Sequence, residues 1–416
     1  MWKIIYNILI NILFPFFILF SLTKRKIRKT FLERLFLSTE KTDLKDAIWI
    51  HAASIGEAVI AENLVSYMKQ HTNIHNFLIT TNTYYTKNLL HTKLGNDVHV
   101  YSLPFDLTYS IKHFINSSTF KTLLIIETEI WPNLIWEVNK LKIPVIILNG
   151  RISDNTFKNY RRFSFFLKHV LSGVDLVLAQ SEEHMKRFIK IGMKPQRVIH
   201  SGNLKYYRDI EETVDNKKDD IITFGSIKEK EMDIILPVIK ILKKTFPDFL
   251  IFVAPRELHL ITEIEKELSA YLNVMRYSTF KESADKKADL VIVDTIGDLL
   301  SIYKKSKIAF VGGSLAPYGG QNILEPLFFG TPVIFGPYIE NFKDIAKSVI
   351  ECNAGFMVKS GDELYEKIKI ILEDEVLRQQ MGNEGKNIAK SQKEVMKKTV
   401  EIVMEAISRK QSAVRL

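Results

Sequence analysis

The chain has one cysteine, Cys352, among 416 residues. An internal disulfide framework and any multi-cysteine metal site are therefore excluded, and a reducing compartment is expected. Several motifs that announce a chemistry are also missing. There is no GxxxxGK[ST] phosphate loop, no GxGxxG after a strand, no HExxH and no paired CxxC. That argues against P-loop nucleoside triphosphatases, nicotinamide enzymes, zinc proteases and zinc fingers. No internal repeat and no low-complexity tract is visible. What is present is ordinary globular usage: 46% hydrophobic, 11% aromatic and 25% charged residues. Lys and Arg number 58 against 48 Asp and Glu, a formal charge of +10. Such a charge suits nucleic acid, an anionic membrane surface or a phosphorylated substrate, without choosing among them. The length suggests two to three domains.

The N-terminus carries the one long uncharged run. From Ile4 to Leu22 no residue is charged, and these 19 residues as a helix reach roughly 30 Å, the thickness of a bilayer core. Lys24, Arg25, Lys26, Arg28 and Lys29 follow at once, while only Lys3 precedes. By the positive-inside rule a single-pass anchor would leave the rest of the chain in the cytoplasm. A cleaved signal peptide would carry its charges first and a small-residue cleavage site afterwards. Asn7, Asn11 and Pro15 are costly or kinking in lipid. They weaken but do not displace the expectation of a single-pass anchor; a helix lying in the interface, or docked on the protein, is the alternative they leave open.

After this segment, short apolar runs alternate with helical stretches. Strands are predicted at Ala47–His51, Phe77–Thr81, Val98–Leu103, Thr122–Glu127, Val145–Asn149 and Leu176–Ala179. A polar stretch, Asp209–Asp220, reads as a linker. A second series follows at Ile221–Phe224, Phe249–Ala254, Val274–Tyr277, Leu290–Val293, Ile308–Gly312 and Thr331–Phe335. The spacing predicts βα units in parallel sheets, an α/β protein with two Rossmann-like domains facing a cleft. The expected division is 1–23 as anchor, 24–208 as the first domain, 209–220 as linker, and 221–416 as the second domain with C-terminal helices.

The densest motif is VGGSLAPYGGQNILEPLFFGTPVIFGP, Val311 to Pro337. Gly312, Gly313, Gly319 and Gly320 permit positive φ and close backbone approach. Asn322 is a candidate helix N-cap, which would turn free N–H groups and the positive helix end toward an anion. Glu325, one turn in, is placed to accept hydrogen bonds from a sugar diol. A bare glycine-rich connection is the plainer reading. The ordered series Gly-Gly, Asn, Glu-Pro, Gly-x-Pro favours nucleotide binding.

With these segments in order, the sequence resembles the 3-deoxy-D-manno-oct-2-ulosonic acid (Kdo) transferases of lipid A assembly, inverting glycosyltransferases of GT-B fold. The resemblance rests on the N-terminal segment; HAASIGE at His51–Glu57; ETEIWPNLI at Glu127–Ile135; PVIILNGRIS at Pro144–Ser153; SGNLKY at Ser201–Tyr206; APR at Ala254–Arg256; DTIGDL at Asp294–Leu299; and GGSLAPYGGQNILEP at Gly312–Pro326. It implies transfer from CMP-Kdo to a phosphorylated lipid A precursor, lipid IVA, on the cytoplasmic face of the inner membrane. It implies an acceptor held by the first domain and a nucleotide held by the second.

The family's general base falls on Glu57; the plainer reading of Glu57 is a carboxylate favoured by a helix N-terminus. Glu127 and Lys205 match positions assigned to transition-state stabilisation, with Glu129 close enough to be mistaken for Glu127. The CMP contacts map to Pro255, Arg256, Ile296, Gly297, Asp298, Asn322, Ile323, Leu324 and Glu325. Gln321, Ile296 and Asp298 stand where the family often has His, Met and Glu. No DxD cluster lies near these loops, so a metal-independent enzyme without cofactor is expected. The expected partners are CMP-Kdo, the lipid A precursor and the membrane, with no nucleic acid. Two alternatives stand beside this reading: another GT-B enzyme using a UDP- or GDP-sugar, and an inactive membrane-bound protein binding anionic lipid or RNA. Finally, Arg151 to His169 interleaves Arg and Lys with Phe and Tyr. This reads as one basic, aromatic helix at the membrane surface, or as a helix packed in the core.

Overall fold

The computed structural model describes residues 1–23, 29–35, 44–210, 217–283 and 287–415. Most of the basic run after the N-terminal helix, and residues 211–216 of the expected linker, lie outside the described residues. The chain forms two compact units, Met1–Asp209 with Gln392–Leu416, and Ile210–Ser391.

The first unit is built on seven parallel strands: β1 Ala47–His51, β2 Phe77–Thr81, β3 His99–Ser102, β4 Phe120–Ile126, β5 Val145–Gly150, β6 Leu176–Ala179 and β7 Val198–His200. They lie in the order β3-β2-β1-β4-β5-β6-β7. Their apolar residues run without interruption because both faces are covered, as parallel sheets require. Odd and even positions feed opposite cores. Trp49, Leu123, Ile125 and Ile147 pack on one side, and Ile50, Leu124, Ile126 and Ile146 on the other. The second unit repeats the plan with β8 Ile221–Ile227, β9 Leu250–Pro255, β10 Val274–Arg276, β11 Leu290–Ile292, β12 Ile308–Val311, β13 Val333–Phe335 and β14 Gly355–Met357, ordered β10-β11-β9-β8-β12-β13-β14. The strand order reverses between β1 and β4 in the first sheet, and between β8 and β12 in the second. In open α/β sheets, ligands bind at the carboxyl ends of the strands at such reversals.

The sequence pattern did not predict β7 and β14, which are edge strands of three residues each. The C-terminal boundary also differs from the expected one. The last helix, Glu375–Arg415, sends Met396, Val400, Val403 and Ile407 into the core of the first unit. Their three- and four-residue spacing makes one apolar stripe, so residues 392–416 belong with the first unit rather than with 221–416.

The N-terminal helix, Trp2–Thr23, has a mean hydropathy of 2.0 over Trp2–Phe20 and is long enough to cross a membrane. It is docked along one side on its own unit. Lys3 Nζ lies 2.6 Å from Glu137, the Tyr6 hydroxyl donates to Asp106 at 2.8 Å, and Asn7 Nδ2 donates to Asn133 at 3.0 Å. Trp2 meets Phe165, and Phe14 and Phe17 meet Phe105. These residues fall along one side of the helix. The opposite face leaves Ile4, Ile8, Leu9, Ile12, Phe16 and Leu19 exposed. The basic, aromatic stretch from Arg151 forms two helices instead of one, Asp154–Arg162 and Ser164–Leu171. The break falls at Phe163, whose φ of −109° and ψ of 23° leave the helical range. Phe163 and Phe165 are exposed, whereas Phe166 packs on Tyr6 and Trp136.

Candidate active site

In the first unit, β1 ends at His51, and the chain turns through Ala52–Ser54 into the helix Ile55–His71. Ser54 caps this helix. Its hydroxyl accepts the Glu57 N–H at 3.3 Å and donates to Glu57 Oε1 at 2.7 Å. The Ala53 N–H donates to Glu57 Oε2 at 2.7 Å. Glu57 thus bonds back to the capping serine and to the amide before it, so the helix-end reading of Glu57 is structurally true. This bonding also fixes the carboxylate as a positioned acceptor. Each oxygen takes one hydrogen bond and keeps a further lone-pair site. Glu57 is only 6% exposed. Burial pushes its carboxyl above the ordinary range, Ser54 and Ala53 pull it back, and Glu127 and Glu129 push it up again.

Glu127 follows β4 at the strand reversal. Its φ of 61° places a non-glycine residue in the left-handed region, the kind of backbone strain that collects at functional sites. Its Oε1 lies 2.7 Å from Lys205 Nζ. Lys205 sits in a short turn, Leu204–Tyr206, fixed where the Leu204 N–H donates to Asn149 Oδ1 at 2.9 Å. A Cβ placed on Gly56 would stand 3.9 Å from Lys205 Cε, so the Glu57 turn and the Glu127–Lys205 pair are neighbours. The structure thus brings Glu57, Glu127 and Lys205 together at one sheet edge.

Glu129 belongs to a separate arrangement. Its Oε2 accepts from Asn82 Nδ2 at 3.1 Å and from Trp131 Nε1 at 3.0 Å, and His51 Nε2 lies 3.8 Å away. Burial opposes its ionisation, yet His51, Trp131 and Asn82 hold the carboxyl below its usual range. The sequence reading gave no role to His51, Asn82 or Trp131. A usable signal existed: Asn82 directly follows β2, and His51 ends β1, both on the same carboxyl edge.

In the second unit, the mapped nucleotide residues also lie at or beyond the carboxyl ends of strands, β9, β11 and β12. Pro255 ends β9, and the Arg256 N–H donates to Ile227 at 2.8 Å while its side chain is exposed. Residues 296–298 follow β11. Ile296 is 90% exposed and Gly297 has a φ of 96°. The Thr295 hydroxyl and Lys281 hold the Asp298 carboxyl below its usual range. Asn322 Oδ1 accepts the Leu324 N–H at 3.1 Å, and Asn322 Nδ2 donates to Glu325 at 3.1 Å.

Two expectations for the glycine-rich loop change. The helix is only Leu324–Phe328, and its capping position is Ile323, so Asn322 precedes the cap and helps through its side chain. Ile323 and Leu324 are buried, which leaves backbone groups alone for a ligand there. The Gly-Gly turn is already filled. Buried Glu231 accepts the N–H groups of Gly313 at 2.6 Å, Ser314 at 2.8 Å and Leu315 at 2.8 Å, and that of Lys228 at 3.0 Å. Gly313 adopts a φ of 67° to aim its amide there, and a Cβ on Gly312 would strike Ile227 Cα at 2.6 Å. The expected anion cradle is real, but its anion is a side chain of this chain.

Comparison with known proteins follows the same division. A family model described as 3-deoxy-D-manno-octulosonic-acid transferase (kdotransferase) matches residues 29–208, and one for glycosyl transferases group 1 matches residues 206–388. A 3-deoxy-D-manno-octulosonic acid transferase of Rickettsia bellii is 32% identical over 376 residues, covering 86% of this chain and 86% of that protein. A bifunctional glycosyltransferase/methyltransferase of Fusobacterium nucleatum is 35% identical over 360 residues; they cover 82% of this chain but 55% of that longer protein. Among solved structures, MurG of Acinetobacter baumannii aligns with a TM-score of 0.54 at 14% identity, over 86% of this chain and 99% of that one. This likeness concerns the fold, which is GT-B.

Proposed function

Because the chain belongs to the 3-deoxy-D-manno-octulosonic acid transferase family and is a Kdo-transferring glycosyltransferase, we propose that its donor is CMP-Kdo, that its acceptor is a phosphorylated lipid A precursor such as lipid IVA, and that transfer inverts the anomeric centre. The observation that carries this reading is the buried, doubly held Glu57 carboxylate beside the Glu127–Lys205 pair at the strand reversal. Glu57 takes the proton of the acceptor hydroxyl. The hydroxyl oxygen bonds to the anomeric carbon of Kdo as the bond from that carbon to the phosphate oxygen breaks. The electron pair leaves with CMP. A base with a raised pKa suits this step, since proton affinity closer to neutral pH makes a carboxylate more effective. Lys205, held by Glu127, supplies fixed positive charge for the developing anion.

The donor is assigned to the second unit, with Arg256 as a fork for oxygen-rich groups and Asn322 with Glu325 for the ribose. Residues 296–298 offer an exposed apolar side chain and a glycine turn to the same ligand. The sequence separation of these groups from Glu57 supports a division of labour between chemistry and donor binding. The cations needed by the reaction are protein side chains, so the enzyme is proposed to work without a metal or other cofactor. The N-terminal helix is proposed to meet the cytoplasmic face of the inner membrane lengthwise. Its inner face is committed to Glu137, Asp106 and Asn133, and its outer face is apolar but for Asn11.

The test is product analysis by mass spectrometry with CMP-Kdo and lipid IVA. Kdo-bearing lipid and free CMP are expected, with turnover unchanged by EDTA. Transfer from a UDP- or GDP-sugar instead, with none from CMP-Kdo, would contradict the donor assignment. The same spectra count the Kdo residues added.

A further inference from the structure

Between the N-terminal helix and the body of the first unit lies a cavity of about 410 Å³. Ile10, Phe14 and Phe17 line it from the helix, with Phe105 and Trp131 across from them and Arg34 among the walls. The lining is apolar apart from Arg34 and Asp106. The Asp106 carboxylate is already spent: it accepts the Tyr6 hydroxyl at 2.8 Å and the N–H groups of Asn133 at 3.0 Å and Leu134 at 2.9 Å. Arg34 is different. Its Nε donates to the Leu103 carbonyl at 2.9 Å, and its guanidinium lies 4.5 Å from the centre of the Phe105 ring. Among the described residues, no carboxylate stands within ion-pairing distance of it. Neighbouring Glu33 turns to Lys87 and Ser102, and Glu129 is taken by Asn82 and Trp131. Burial pushes Arg34 down to about 10, against the pull of Glu129 and Glu33. A half-buried cation with no direct ion pair among the described residues, its two neighbouring carboxylates bonded elsewhere, complements, beside an apolar cavity, a molecule that is anionic at one point and aliphatic next to it.

The cavity also adjoins the chemistry. Trp131 forms part of its wall and donates to Glu129, whose charge is felt at Glu57. On its other side the cavity is bounded by the helix whose outer face is exposed hydrocarbon.

We propose that this cavity takes one acyl chain of the acceptor lipid while the Arg34 guanidinium binds a phosphate of the same molecule. The proposal rests on reading the acceptor as a phosphorylated, acylated glycolipid. It makes the N-terminal helix one wall of a substrate site, beyond any part in membrane attachment.

Three synthetic acceptors test it: acylated and phosphorylated, deacylated but phosphorylated, and acylated but dephosphorylated. Ile10→Trp fills the cavity and is expected to raise KM for the acylated acceptors about tenfold, with a far smaller change for the deacylated one. Arg34→Gln is expected to raise KM about tenfold for the phosphorylated acceptors and little for the dephosphorylated one, with part recovered by Arg34→Lys. An acceptor carrying a photoreactive group on its acyl chain should label Phe14, Phe17 or Phe105 in the wild-type protein. Labelling confined to Ile4, Ile8 and Ile12 on the outer face would place the chain in the bilayer and overturn the proposal. Equal competition by an ordinary phospholipid would mean a general lipid pocket and would also overturn it. So would variants that shift all three acceptors alike or none. If wild-type protein transfers Kdo to none of the three acceptors, the functional reading fails instead. The labelling experiment still reports on the cavity in that case.

Discussion

The two sheets share a topology but put opposite contents at their strand reversals. At the first, two carboxylates and a lysine stand free of backbone duties or only partly engaged: Glu57, Glu127 and Lys205. At the second, the one deeply placed carboxylate among the described residues, Glu231, is fully engaged by four backbone N–H groups. The same fold can therefore present charge to a substrate or consume it in its own architecture. Glu231 holds the glycine-rich loop that leads to Asn322 and Glu325, the residues proposed for the ribose. The proposed division of chemistry and recognition between the sheets follows what each carboxylate is bonded to.

The largest effect that sharpens this contrast concerns Glu231. Glu231→Ala strands several buried amides, each costing about 1–3 kcal/mol. A loss of more than about 3 kcal/mol in urea unfolding is expected, and unchanged stability would show the engagement to be incidental. Next comes Lys205→Met, which leaves Glu127 without its cation. A fall in kcat of about 100-fold with little change in CMP affinity is expected from steady-state kinetics and calorimetry. An equal loss of CMP affinity would move Lys205 to the donor-binding side of the comparison. Smaller still is Glu325→Ala, expected to weaken CMP binding about tenfold while saturated turnover holds. Unchanged affinity would remove Glu325 from the ribose. The mildest is a pH effect. The Glu57 pKa is raised, chiefly by burial, so the base is lost by protonation at a higher pH than an ordinary carboxylate. The acid limb of kcat/KM should therefore fall above about 4.5, the ordinary glutamate value, and a limb below it would remove the proposed tuning.

Much of this was legible in the residues. β1, β2 and β6 lie where uninterrupted apolar runs placed them, because burial on both faces writes itself directly into sequence. Glu57 was legible as part of a turn that ends a strand and starts a helix. What escaped depended on distant partners. Glu231 lies 82 residues before the Gly313 amide it fills, and no local pattern connects them. The docking of the N-terminal helix was hidden because both of its faces are rich in apolar residues. Only Lys3, Tyr6 and Asn7, polar at helical spacing, mark the inner one. The three-residue edge strands β7 and β14 are too short to show a period.

The division between the two sheets is tested most directly by Glu57→Gln, assayed for Kdo transfer and for CMP binding on the same preparation. Glutamine keeps the shape and an acceptor oxygen but loses the base. Transfer should fall by roughly 10²–10⁴-fold, with CMP affinity within experimental error of wild type. Wild-type turnover in this variant, or a parallel loss of CMP binding, would contradict the account.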